Sequence, residues 1–240
     1  MKDWQERTAM LLGEETVGRL SSSVVVVVGV GGVGAYAAEM LARAGIGKLV
    51  LIDSDEVGLT NVNRQLIALH STVGRLKVDV LKERLQDINP ALEVRAVPEY
   101  VCEANVGELV PHADVVIDAI DTLSPKIALI QHCLKNGLPL VSSMGSGAKK
   151  DVTKIRIADI SGTRMCPLAH MLRKRLHKLG ITSGFLAVYS EEQPDRSSTV
   201  LEESRNKKSQ VGTISYLPAA FGCACAQAAI ATIAGVRENC

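Results

Sequence analysis

The sequence predicts an α/β fold, a doubly wound and mainly parallel sheet that runs on into a C-terminal extension of mixed strands and helices. Three observations predict it. Val24 to Val28 is a continuous β-branched run ending in glycines, as expected of a strand buried on both faces. Strand-like runs then alternate with helix-like stretches as far as residue 144, which implies parallel pairing through crossover helices. Beyond Gly145 that alternation gives way to two strand-like runs separated by a basic helix.

Each element has a local reason. Val33 to Ala44 reads as a helix stopped by Gly45 and Gly47. Lys48 to Asp53 is the second strand. Arg75 to Ile88 carries Leu76, Val80, Leu81, Leu85 and Ile88 at helical spacing and stops at Asn89-Pro90. Leu92 to Val97 and Ala113 to Ile120 are the third and fourth strands. Ser124 to Asn136 is a helix with Ser124 as its expected N-cap and Pro125 in its first position. Leu138 to Met144 is the fifth strand. In the extension, Ile155 to Ile160 and Leu186 to Ser190 read as strands around a helix from Pro167 to Leu179. Glu191 to Gln210 is polar and turn-rich and is expected to be a mobile loop, and Tyr216 to Ala234 is the last helix.

Composition narrows the function classes. The 240 residues are 47% hydrophobic and 22% charged, with net charge +1, which suits an ordinary globular core. Aromatics at 3% argue against a base-stacking sheet. The first residues carry no signal-peptide pattern, and the six cysteines form no disulfide framework, so a reducing cytoplasm is expected. Charge is uneven. Nine cations between Lys149 and Lys178 face only Asp151 and Asp159, a field suited to phosphates or simply a solvated surface. Ser209 to Val236 holds no charge. Its Gln210, Ser215, Pro218 and Gln227 favour a buried or dimer-facing helix over membrane contact.

The first strand-to-helix turn carries Gly29-Val30-Gly31-Gly32-Val33-Gly34, and Asp53 ends the next strand. Glycines there let phosphates approach backbone N–H groups at a helix N-terminus, and the carboxylate grips ribose hydroxyls, as in a Rossmann-like nucleotide site. That pair does not separate ATP from NAD, and the absence of a Walker lysine excludes a P-loop. Downstream, Asp53-Ser54-Asp55, Asn61-Val62-Asn63-Arg64-Gln65, the helix opening at Gly74-Arg75-Leu76-Lys77, and Asp118-Ala119-Ile120-Asp121 lie toward the carboxyl ends of strands. An Arg and a Lys converging there neutralise a triphosphate, and an Asp beside them can hold Mg²⁺.

These segments, in this order and spacing, resemble the family of ubiquitin-activating and sulfur-carrier-adenylating enzymes across roughly residues 4 to 144. The resemblance implies an acyl-adenylating enzyme with ATP and Mg²⁺ as cofactors. Gly31 and Gly32, with Gly29 and Gly34, would line the ATP phosphates. Asp53 would bind the ribose, with Asp55 and Gln65 among the nucleotide-binding positions. Asn61, Arg64 and Lys77 would meet the phosphates, and Asp121 would place Mg²⁺. In the family an arginine near the N-terminus of a partner subunit reaches the γ-phosphate, which implies a homodimer. Arg7 is the candidate for that role and Arg19 the alternative. The implied catalytic set is therefore Asp121, Arg64, Lys77 and Arg7. A single domain over 1–240 is expected, with a helical arm over 1–22, a nucleotide-binding core over 23–145 and a substrate-facing, dimer-contact extension over 146–240.

Within the family the sequence is most similar to members that act on a modified tRNA. That similarity rests on the 61–65 and 118–121 segments, Pro125-Lys126, Ile155 to Ile160 followed by Pro167-Leu168-Ala169, and Arg205-Asn206-Lys207-Lys208 before Val211-Gly212-Thr213. It implies adenylation of a carboxylate on a nucleoside next to the anticodon, then ring closure with loss of water. Lys149, Lys150, Arg173, Lys174, Arg175, Lys178, Arg205, Lys207 and Lys208 would track the tRNA backbone. Three alternatives stay open: activation of a glycine-tailed sulfur-carrier or ubiquitin-like protein with a possible sulfur-relay partner, an NAD-dependent oxidoreductase, and a non-catalytic module on the same fold. No zinc site is expected, because Cys223-Ala224-Cys225 is the wrong spacing and no CxxC pairs occur. Cys166 is the remaining candidate for a thioester nucleophile, and the five histidines show no ligand spacing.

Overall fold

A computed structural model describes residues 3–204 and 207–235, with the side chains of residues 3, 196, 199–204 and 207–210 left aside. Two N-terminal helices, α1 (Glu6–Leu12) and α2 (Glu14–Ser22), precede β1 (Val24–Val28). There follow α3 (Gly34–Ala44), β2 (Lys48–Ile52), α4 (Lys77–Ile88), β3 (Glu93–Val97), α5 (Val106–Leu109) and β4 (Val115–Asp118). The chain continues through α6 (Leu123–Lys135), β5 (Leu140–Ser143), β6 (Ile155–Asp159), α7 (Pro167–His177) and β7 (Leu186–Ser190). A hairpin of β8 (Thr199–Ser204) and β9 (Lys207–Val211) leads to α8 (Tyr216–Ala234).

Seven strands form one sheet in the order β3-β2-β1-β4-β5-β7-β6. All pair in parallel except β6, which runs antiparallel to β7 at the edge. The chain direction across the sheet reverses at β1, between β2 and β4, the switch point at which such sheets open a crevice for ligands. Side chains of β1 alternate between two cores. Val25 and Val27 pack with Ala37, Leu41, Leu81, Leu85 and Phe221, whereas Val26 and Val28 pack with Leu129, Ile130, Leu172 and Leu176. So α3, α4 and α8 cover one face, and α5, α6 and α7 the other.

Several expectations need correction. The helix expected from Ser124 begins at Leu123, with Thr122 in the N-cap position. Pro125 is therefore the third helical residue, tolerated because first-turn N–H groups have no intrahelical acceptor. The expected mobile loop at 191–210 contains the β8–β9 hairpin, in which Val200 pairs with Gln210 and Leu201 with Ser209. Polar composition concealed the hairpin, because its strands carry no regular apolar alternation. The uncharged segment does form one long apolar helix, and α8 packs on α3 and on the sheet. Gly222 permits that approach, since a Cβ there would come within 2.5 Å of the Val33 carbonyl.

Candidate active site

The site grows from the carboxyl ends of β1, β2 and β4. At Val28 the chain turns through Gly29, whose N–H donates to the Ile52 carbonyl at 2.8 Å. Gly29 adopts φ +87°, and a Cβ there would lie 2.9 Å from the Ala119 carbonyl, so glycine meets both the left-handed backbone and the close approach. A side chain at Gly34 would overlap the Gly29 carbonyl. These glycines therefore fold the loop tightly against the start of α3. No side chain caps α3: Val33 stands in the N-cap position and makes no such hydrogen bond. The Ala35 N–H turns back to the Gly31 carbonyl at 3.2 Å, and the positive end of the helix is presented to an anion.

Asp53 braces this loop. Its Oδ2 accepts from the Val30 N–H and its Oδ1 from the Asp55 N–H, both at 2.8 Å. Burial raises its pKa above the ordinary carboxylate value, outweighing the Lys77 charge and the two N–H bonds. Lys77 opens α4 with its side chain 6% exposed, and its Nζ donates to Asp55 Oδ2 at 2.7 Å. The 61–65 segment closes the other side. Asn61 Oδ1 accepts from the Gly58 N–H at 3.0 Å, and the Asn61 carbonyl accepts from the N–H groups of Arg64 and Gln65. The Arg64 stem lies against Gly32, and its Nη1 donates to the Thr60 carbonyl at 3.0 Å and Asn63 Oδ1 at 2.9 Å. Asn63 in turn donates to the Thr213 carbonyl at 3.1 Å. Gln65 is nine-tenths buried beneath Gly31, and its Oε1 finds no hydrogen-bond partner among the described residues.

Asp121 is exposed on the turn between β4 and α6. That turn adjoins the glycine loop, because the Ala119 N–H donates to the Val28 carbonyl at 2.8 Å. The expected nucleotide residues thus gather at the switch point. They fit a nucleoside triphosphate: an uncapped helix N-terminus, a Gly31 at which a Cβ would meet only the Gln65 amide, two cations and a stranded polar atom. One carboxylate plus phosphate oxygens is a donor set that Mg²⁺ accepts, and Asp121 is an exposed carboxylate on the turn beside the loop.

Arg7 is not brought to this site within one chain. The neighbouring Gln5 packs against Gly45 at the far end of α3, a helix of 11 residues and therefore about 16 Å long. Arg19 serves a different purpose. Its Nη1 donates to the Ala234 carbonyl at 3.1 Å, at the C-terminal end of α8.

The expected basic track is also reduced. Lys149 is buried, its Nζ donating to the Gly145 carbonyl at 3.0 Å, and burial lowers its pKa against the pull of Cys166 and Glu192. Lys150 faces Asp195 at 3.9 Å, and Arg173 donates to Thr163. Lys174, Arg175 and Lys178 remain exposed along α7 and just beyond it, together with His170 and His177. Arg205 lies outside the described residues, and Lys207 and Lys208 lie outside the described side chains. Cys166 is buried at the N-cap of α7.

One cluster escaped the sequence reading. Lys126 and Asp118, both with no exposed side-chain surface, form an ion pair of 2.6 Å beneath the ends of β4 and β5. The available signal was their joint presence at the end of a strand and the start of the next helix.

Comparison with known proteins accords with this geometry. The profile of the ThiF family matches residues 5–240. The chain is 48% identical over 189 residues to the tRNA threonylcarbamoyladenosine dehydratase of Bacillus subtilis (strain 168), covering 78% of this chain and 74% of that one. It is 45% identical over 177 residues to the enzyme of the same name from Escherichia coli (strain K12), covering 72% and 66%. The crystal structure of E. coli tRNA N6-threonylcarbamoyladenosine dehydratase in complex with ATP superposes with a TM-score of 0.88, at 36% identity over 97% of this chain and 96% of that one. On sequence, fold and the layout of its nucleotide loop, the chain belongs to the ThiF family.

Proposed function

We propose that this chain uses ATP to adenylate the threonyl carboxylate of threonylcarbamoyladenosine in tRNA and then closes that group into a ring, with net loss of water. The observation that carries the reading is the glycine loop with Lys77, Arg64 and the Asp121 turn around it, in a chain 48% identical to a named dehydratase.

A carboxylate oxygen of the substrate attacks the α-phosphorus of ATP, and the bond to the bridging oxygen breaks as pyrophosphate leaves. The N–H groups at the start of α3, Lys77 and Arg64 stabilise the charge that gathers on the phosphate oxygens. Lys77 exchanges its Asp55 partner for a phosphate, which the exposure of Asp55 permits. Mg²⁺ bound at Asp121 would neutralise phosphate charge. The neighbouring carbamoyl group then attacks the acyl carbon, AMP leaves, and the proton of the attacking group passes to solvent. Both groups belong to one molecule, which contributes on the order of 7–11 kcal/mol to the second step.

Three finer readings accompany this. The tRNA backbone lies along α7, on Lys174, Arg175 and Lys178, a helix that carries no acidic residue. Changing all three to Glu is expected to raise the KM for tRNA about tenfold or more, flatten its salt dependence and leave the KM for ATP unchanged. A second copy of the chain seats on the β6 edge and α8, where Ile155, Ile157, Ala220 and Ala224 line an apolar groove of about 640 Å³. Its Arg7 then completes the site. Mixing Arg7→Ala with Asp121→Ala protein is expected to restore part of the activity each lacks alone, and no restoration would remove the trans assignment. The cytoplasm is the proposed compartment, consistent with the five free cysteines among the described residues.

The deciding experiment is mass spectrometry of nucleosides from threonylcarbamoyl-modified tRNA incubated with the protein and Mg-ATP. Loss of one water, with AMP and pyrophosphate released, is expected, and Asp121→Ala abolishes it. An unchanged nucleoside alongside adenylation of a glycine-tailed carrier protein would overturn the reading.

A further inference from the structure

We propose that Asp118 and Lys126 form a sealed positioning pair that fixes the turn carrying Asp121 for the adenylation step. The proposal rests on the reading of Asp121 given above. Asp118 is the last residue of β4, in register with Val28 of β1 on one side and Ser142 of β5 on the other. Lys126 reaches it from the first turns of α6. Between these two residues lies the turn that holds Asp121.

The bonding is closed. Lys126 Nζ donates to Asp118 Oδ2 at 2.6 Å, to the Ser143 carbonyl at 3.0 Å and to Ser142 Oγ at 3.2 Å, which uses all three ammonium protons. The Ser142 hydroxyl donates to the same Asp118 oxygen at 2.7 Å. Cys225 of α8 closes the cluster from above, fully buried, with its thiol pushed up to about 12 by burial. No ligand can displace these bonds without dismantling the ends of two strands, so the pair is not itself a binding site.

What remains is the second carboxylate oxygen. Asp118 Oδ1 accepts from the Ile120 N–H at 3.1 Å, the residue immediately before Asp121. The turn is therefore fastened at its start by a carboxylate whose rotation is locked by Lys126 and Ser142. A pair of apolar residues would fill the same space without the cost of dehydrating two charges. An apolar pair could not hold the Ile120 N–H, and that bond fixes the backbone one residue before Asp121, in a turn that adjoins the glycine loop through the Ala119 N–H on the Val28 carbonyl.

The test is ATP–pyrophosphate exchange with threonylcarbamoyl-modified tRNA, measured against Mg²⁺ concentration, for the double variant Asp118→Leu/Lys126→Met. A misdirected Asp121 is expected to lower kcat about 100-fold and raise the Mg²⁺ needed for half-maximal rate about fivefold, with the KM for ATP little changed. Ser142→Ala, which leaves the ion pair in place, serves if the double variant does not fold. It loses two buried hydrogen bonds, so the melting temperature is expected to fall by a few degrees, and the Mg²⁺ requirement, measured well below that temperature, to rise about twofold. Wild-type kcat and Mg²⁺ dependence in the double variant, or in Ser142→Ala where the double variant is unfolded, would overturn the proposal. So would a loss of rate that follows only the fraction of folded protein. Asp121→Ala runs alongside. If it retains exchange, the reading of Asp121 is wrong; if it is inactive while the double variant matches wild type, only the positioning role falls.

Discussion

Two lysine–aspartate pairs stand at the ends of β2 and β4, the strands on either side of β1, and they are built for opposite purposes. Lys77 meets Asp55 beyond β2 at 2.7 Å, with the carboxylate 66% exposed. Lys126 meets Asp118 at the end of β4 at 2.6 Å, with neither side chain exposed. In the open pair, water can take over the exposed carboxylate, so the lysine, itself only 6% exposed, is available to an incoming phosphate. In the sealed pair, every donor is already spent and the charge cannot be handed on. The same two residue types thus supply a movable cation in one place and a fixed bracket in the other, and hydration decides which.

Removing the lysine from each pair separates them most sharply. Lys126→Met strands a buried carboxylate and is expected to lower stability by about 3–5 kcal/mol in urea titration. Lys77→Met leaves Asp55 hydrated and is expected to cost about 1 kcal/mol or less. Equal losses would erase the distinction. Activity reverses the order of the folded proteins: Lys77→Met is expected to lower kcat for nucleoside dehydration about 100-fold or more at nearly unchanged melting temperature. The smallest effect concerns Asp53, beside the open pair. Its folded pKa lies above the ordinary value of 3.8, so the folded state holds the proton more tightly than the unfolded chain. Its contribution to stability is full below pH 3.8 and is lost as pH rises through the folded value. The melting temperature of wild type minus that of Asp53→Asn should therefore fall as pH rises across that window. A difference that rises instead would mean that the two N–H bonds outweigh burial.

The residues of the open pair were legible in the sequence as parts of one site, though their ion pair was not, and the sealed cluster was missed altogether. Asp53, Asp55 and Lys77 fall where strand ends and a helix start are marked by β-branched runs and glycines, so their meeting follows from topology. Asp118 and Lys126 occupy equally visible positions, yet a lysine after a proline at a helix start looks like a solvated first-turn residue. Only the depth of α6 and α8 against β4 and β5 makes it buried, and depth is a tertiary property. The same limit explains Lys149, counted with the surface cations and found beneath the Gly145 carbonyl. The β8–β9 hairpin was missed for another reason: strand pairing between polar segments leaves no periodic apolar trace. Ser124-Pro125 misled by two positions, because Thr122 sits equally well before the helix.

The contact at Gly222 has a consequence for the opening motions of the molecule. It seats α8 directly on the first turn of α3, so the helix behind the glycine loop is held between the sheet and a second helix. Backbone amides near the start of a helix ordinarily exchange their hydrogens early, through fraying. Here, fraying of α3 requires α8 to lift first. The hydrogen-bonded amides that follow, such as that of Ala37 on the Val33 carbonyl at 3.0 Å, are therefore expected to exchange on the timescale of the central strands, with the anion cradle already in its binding shape before any nucleotide arrives.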